Sequence, residues 1–140
     1  MDKKLLNKII ITENTSIKSS IKILDSTGLQ ILLVTDKNGK FIGTLSDGDF
    51  RRAVIQNISL DENVNLIINK NPTFVSKRMS NLELNSLMKK NDIRHLPYVD
   101  KDLRIKDLYF FDKISTEIKD KNIIIIMAGG KGSRLGAYTK

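Results

Sequence analysis

The chain has 140 residues, of which 40% are hydrophobic and 29% charged, the make-up of one compact globular domain with a real core. It has no cysteine, which excludes a disulfide framework and any thiolate metal site. Its formal net charge of +8 does not mark a nucleic-acid binder: the lysines are scattered, some flanking turns and others on helix-like stretches, and no aromatic residues alternate with them. The first residues lack the apolar region of a signal peptide. The longest apolar run, Ile123 to Ala128, falls far short of the ~18 residues of a membrane span. The expected setting is therefore the cytoplasm, with neither nucleic acid nor membrane as partner.

Along the chain, Ile9 to Ile11 reads as a short strand. Thr15-Ser16 follows as a helix N-cap, and Ile17, Ile21 and Leu24 recur at helical spacing behind it. Gly28 stands where a helix C′ residue belongs. Ile31 to Val34 is a fully apolar strand, and Asn38-Gly39 is a hairpin turn leading into a second strand, Lys40 to Leu45. Residues 58–72 form a connection punctuated by Asn71-Pro72. The order then starts again: a strand-like Thr73 to Val75, a helix lined by Leu84, Leu87 and Met88, and a strand from Leu96 to Val99. A polar stretch, 115–122, precedes a last apolar strand, Ile123 to Met127, that runs into AGGKGSRLG.

The recurrence is an internal repeat. LQILLVTD at 29–36 and IRHLPYVD at 93–100 stand 64 residues apart, and the same offset pairs Leu24 with Met88, Ile23 with Leu87, and Phe41 with Ile105. Each copy is a β-α-β-β-α unit, too small to bury a comfortable core alone. The expected fold is α/β (α+β), with two such units packed in pseudo-two-fold symmetry around a shared core. Their bounds are 1–57 and 73–114, joined by 58–72; 115–122 is a linker, and 123–140 starts a further domain.

Two segments carry chemistry. In Gly43-Thr44-Leu45-Ser46-Asp47-Gly48-Asp49 a strand ends in hydroxyls, and Asp49 falls where the next helix begins. A carboxylate there can accept two hydrogen bonds from vicinal hydroxyls such as those of a ribose, and helix-end amides favour an anion nearby. The plainer alternative makes Ser46, Asp47 or Asp49 an N-cap. The second segment is Ala128-Gly129-Gly130-Lys131-Gly132-Ser133-Arg134-Leu135, whose glycines let amides approach phosphates while Lys131 and Arg134 neutralise them. It is not a Walker A loop.

The turn, the string FIGTLSDGDFRRAV and the 64-residue repeat together resemble a tandem pair of cystathionine-β-synthase (CBS) domains, a Bateman module, over roughly residues 5–115. The resemblance implies clefts for adenosine-type ligands, with Ser46 and Asp49 facing the ribose, Thr44 nearby, and Arg94 and His95 near ligand phosphates. It implies an adenine nucleotide (AMP, ADP or ATP) as effector and a homodimer as assembly. Repeat 2 departs from the pattern, with Asp107, Phe110 and Lys113 in the places of Gly43, Ser46 and Asp49, so its own site lacks both hydroxyl and carboxylate.

The second segment is similar to the signature loop of sugar-1-phosphate nucleotidyltransferases, which implies that Gly129, Gly130, Lys131, Gly132, Ser133 and Arg134 face NTP phosphates. The implied parent transfers a nucleotidyl group to a sugar 1-phosphate, with guanylyltransferases among the types the resemblance covers, and uses Mg2+; residues 123–140 would be the strand-loop start of its Rossmann-like catalytic domain. The module's further partner is then its own catalytic domain. The 140 residues hold no complete catalytic set, no metal site and no cofactor of their own, so the chain itself is expected to be a non-catalytic regulatory module. The rival expectation is a ligand-free structural or dimerisation module.

Overall fold

The structure is a computed structural model and describes residues 1–114. The linker at 115–122 and the whole glycine-rich loop, Gly129 to Arg134, lie outside the described residues.

The chain opens with a short helix not foreseen from the sequence, α1 (Lys3–Lys8), capped by the Asp2 carboxylate, which accepts from the Lys4 amide. Then come β1 (Ile10–Thr12), α2 (Ile17–Thr27), β2 (Ile31–Thr35), β3 (Phe41–Ser46) and α3 (Asp47–Ile55). A 3₁₀ turn at Val64–Leu66 stands in the connection, followed by α4 (Asn81–Lys90), β4 (His95–Val99) and β5 (Ile105–Phe110). The ends of α2 follow from its sequence. The Ser16 hydroxyl accepts from the Ser19 amide, and Gly28 takes the left-handed conformation at φ 64° that closes the helix. Between them Ile17, Ser20 and Leu24 are buried, and the Ser20 hydroxyl is satisfied by the Ser16 carbonyl at 2.9 Å.

β1 pairs parallel with β2, and β2 antiparallel with β3. In the second sheet β4 and β5 pair antiparallel. The 64-residue offset holds down to individual pairs. Leu33 faces Thr44 as Pro97 faces Leu108, and the register slips at Val34/Thr35 as at Tyr98/Val99. Asp36 Oδ1 accepts the amides of Asn38 and Lys40 at 2.8 Å; Asp100 Oδ1 accepts those of Asp102 and Arg104 at 2.9 Å. These donors hold the Asp36 carboxyl below the usual carboxylate range, and Asp100 likewise, with Lys106 as its largest influence.

The strand expected at Thr73 to Val75 is reduced to a single bridge between Val75 and Tyr98. The reason lies across the sheet. In repeat 1 the Leu33 amide donates to the Ile9 carbonyl at 2.8 Å, whereas Leu33's counterpart is Pro97, which has no N–H to give.

The larger buried cluster is built on repeat 1 and includes Val99 and Leu108 from repeat 2, so the repeats share one core. A smaller cluster, Val75, Leu84, Met88, Leu96 and Ile114, lies within repeat 2. The hairpin turns also meet. The Phe41 amide donates to the Leu103 carbonyl at 2.8 Å, and the Arg104 guanidinium donates to the Asn38 carbonyl.

Candidate functional site

Along β3 the buried residues alternate, Phe41, Gly43 and Leu45, and the strand ends at Ser46, which caps α3. Asp49 sits in the first turn of α3 and is only 8% exposed. Its Oδ2 accepts from both the Ser46 amide and the Ser46 hydroxyl, each at 2.7 Å, and its Oδ1 pairs with the Arg52 guanidinium. The plain capping role is thus real. A second cap of the same kind, Ser80 with Glu83, starts α4, but there both residues are exposed. A solvated cap needs nothing beyond helix stability to account for it. A buried carboxylate facing a hollow does.

That hollow is a cavity of about 330 Å³ walled by Asp49, Arg52 and Ala53 of α3, by Gln56 just beyond the helix, and by residues 66–69. Its second wall is pinned to β3 by two main-chain bonds, Thr44 N–H to Asn69 O at 3.1 Å and Asn69 N–H to Thr44 O at 2.9 Å. Gly43 makes the approach possible, because a Cβ there would stand 2.5 Å from the Asn69 carbonyl oxygen. Residues 66–69 were read from the sequence only as connection. A glycine inside an otherwise ordinary strand was the signal that another backbone comes close.

The structure therefore brings Ser46 and Asp49 together and ties Thr44 to the cavity wall through Asn69. It does not bring Arg94 or His95 to this cavity. Arg94 is exposed and lines a separate groove of about 250 Å³ with Asp92, Phe111 and Asp112. His95 is half-buried, edge-on to Phe110 at 5.4 Å between ring centres. Burial, and then the neighbouring Arg94 charge, push the imidazole below its ordinary pKa; Asp112 opposes the shift.

At the corresponding place in repeat 2 the side chains do something else. Lys113 Nζ lies 5.0 Å over the Phe110 ring, and Asp107 receives the Met1 ammonium at 2.9 Å and its neighbour Leu108 N–H at 2.8 Å. Repeat 2 instead has a hollow of about 590 Å³, larger than the Asp49 cavity, whose lining includes Arg78, Tyr98, Lys106 and Tyr109. In repeat 1 the matching helix start is covered by the connection, with Ile17 N–H bonding Glu62 O and Lys18 N–H bonding Leu60 O. Among the described residues no group of His, Asp or Glu gathers for a metal ion, and no helix is long and apolar enough to cross a membrane.

The fold is that of solved CBS domain pairs, a mixed α/β arrangement of two repeats, and residues 1–56 match the CBS domain family. A protein of Rickettsia prowazekii (strain Madrid E), called uncharacterized protein RP505, is 34% identical over 106 residues, which are 76% of this chain and 33% of that protein. The chain thus spans about a third of that relative's length. Among solved structures, the CBS domain pair of protein MJ0100, in complex with 5′-methylthioadenosine and S-adenosyl-L-methionine, is similar at 24% identity and a TM-score of 0.70, covering 81% of this chain and 90% of that one. The CBS domain protein PAE2072 of Pyrobaculum aerophilum, complexed with AMP, is similar at 20% identity and a TM-score of 0.69, covering 80% and 91%.

Proposed function

We propose that this chain is a nucleotide-sensing regulatory module whose cavity at Asp49 holds the ribose of an adenosine-type ligand. The observation that carries the reading is the nearly buried Asp49 carboxylate at the start of α3, facing a cavity of about 330 Å³. Ligands carried by two structures of the same fold, AMP in one and two adenosine derivatives in the other, support the ligand class. Calorimetric titration of the 140-residue chain with adenine and guanine nucleotides tests it. One site per chain and an adenine preference are expected. No heat with any nucleotide, in protein free of carried-over ligand, would hand the case to a purely structural module.

The parent enzyme is proposed on the loop at 128–136 alone: a cytoplasmic sugar-1-phosphate nucleotidyltransferase, regulated through differential affinity of the effector for two states of the whole protein. Mg2+ belongs to that proposal. No acidic cluster among the described residues fits it. The chain itself should release no pyrophosphate from an NTP and a sugar phosphate.

A dimerisation module is the second reading, and one observation favours it: Val54, Ile55 and Leu82 stand 60%, 72% and 69% exposed on helices. Light scattering from micromolar to millimolar concentration checks for a mass twice 15.9 kDa.

A further inference from the structure

The nucleotide reading leaves the phosphates without a partner at the Asp49 cavity, because Arg94 and His95 lie elsewhere. The structure offers a different cation. Arg52 follows Asp49 by one helical turn, lines the same cavity and pairs with Asp49 Oδ1. The two partners differ sharply in setting: the Asp49 side chain is 9% exposed and that of Arg52 65%. Ser46 already holds Oδ2, so Oδ1 is the oxygen left to accept from a ligand, and Arg52 covers it.

The guanidinium lies folded back over the first turn of α3, in the space left by Gly48, where a Cβ would stand 3.4 Å from Arg52 Nη1. A helix N-terminus disfavours a cation and favours an anion. The pair with Asp49 is what keeps Arg52 there, and because the guanidinium itself stays mostly in water it can exchange that partner for another. A planar guanidinium that reaches a phosphate makes two parallel charge-assisted bonds, which are stronger.

We infer that Arg52 is a displaceable occupant of the ribose acceptor that turns to the ligand's phosphate on binding, so that the site selects phosphate-bearing nucleosides over phosphate-free ones. The inference rests on the Asp49 reading above and deepens it. Ligand hydroxyls take Oδ1, Arg52 is released, and the released charge meets the phosphate beside the same helix end. A nucleoside without phosphate displaces the guanidinium and gives it nothing in return.

The test is calorimetric titration of the 140-residue chain with adenosine and AMP, for the unaltered protein and for Arg52→Ala, Arg52→Lys and Arg94→Ala. Displacement of a fluorescent AMP analogue reads any affinity too weak for heat. Arg52→Ala should weaken AMP about tenfold or more and leave adenosine unchanged or slightly tighter, so that the preference for AMP collapses. Arg52→Lys should fall between, and Arg94→Ala should keep the preference. Equal loss for both ligands in Arg52→Ala, a preserved preference there, or a collapse in Arg94→Ala instead would overturn the role of Arg52 and leave the Asp49 reading standing. Binding of neither ligand by the unaltered chain overturns both.

Discussion

Repeats 1 and 2 share their backbone devices position for position, and they differ where a ligand would touch them. The strand register, its slip, the aspartate that knots each hairpin turn and the serine that caps each first helix all recur 64 residues on. At the strand end the side chains part company: Gly43, Ser46 and Asp49 in one copy stand where Asp107, Phe110 and Lys113 stand in the other. A fold of this kind asks for apolar alternation, two caps and a turn, which many sequences satisfy. A ribose site asks for one carboxylate with the correct surroundings, so it is lost by a single change while the scaffold persists.

The largest effect that should separate the copies is on stability. Leu45 is fully buried in the larger core, while Tyr109, its counterpart, is half-buried and stacked on Tyr98. Leu45→Ala should cost about 2–5 kcal/mol in urea unfolding, and Tyr109→Ala clearly less. Equal costs would mean that the second hairpin bears as much of the core as the first. Next comes binding. Asp49→Ala should weaken AMP at least tenfold, about 1.4 kcal/mol, whereas Lys113→Ala should leave affinity nearly unchanged. Equal losses, or two equivalent sites per chain, would remove the asymmetry.

A smaller effect concerns the turns. Gly39 holds φ 75°, and Leu103 holds φ 59° at the matching position, a conformation that strains a leucine. Leu103→Gly should raise stability by about 0.5 kcal/mol, the relief being partly offset by the greater freedom of glycine in the unfolded chain. Gly39→Leu should lower it. Thermal melts of the two variants check the opposite signs.

The smallest effect is on pH dependence. His95 titrates below its ordinary value of 6.5 in the folded chain, so the unfolded chain binds the extra proton first as pH falls. Stability is therefore complete above about 6.5 and declines as the solution is acidified through the folded pKa. His95→Gln should flatten that decline in urea midpoints measured between pH 7.5 and pH 5, ranges set around the ordinary histidine value. Ile31, the counterpart in repeat 1, has no proton to contribute.

Much of the fold was legible because repetition doubles the evidence. Asp36 and Asp100, or Leu24 and Met88, are each ambiguous alone and persuasive as a pair at constant offset. α1 escaped notice because six residues carry too little periodicity to stand out. The strand expected at Thr73 to Val75 fails for a reason written not in its own residues but in Pro97, across the sheet. In the site, Ser46 and Asp49 were legible as a local string. Arg52 was in plain view beside them, but its pairing depends on a rotamer that spacing does not report. The wall at 66–69 is a long-range contact, announced only by Gly43. Arg94 and His95 were placed by resemblance; neither lines the Asp49 cavity, and Arg94 lines a different groove.

The meeting of the two hairpin turns has a consequence for how the molecule comes apart. A turn normally frays first, and its amides exchange with solvent long before the core opens. The Phe41 amide, however, reports on both halves at once, since its acceptor is the Leu103 carbonyl. Gly39, which reads as mere punctuation, also leaves the space in which the Arg104 guanidinium reaches across to the Asn38 carbonyl. The tips of the hairpins thus act as a latch, and a substitution at residue 39 would be felt as a loosening of one half from the other. Exchange at Phe41 is then a gauge of that latch, slow while the halves stay docked and fast once they separate.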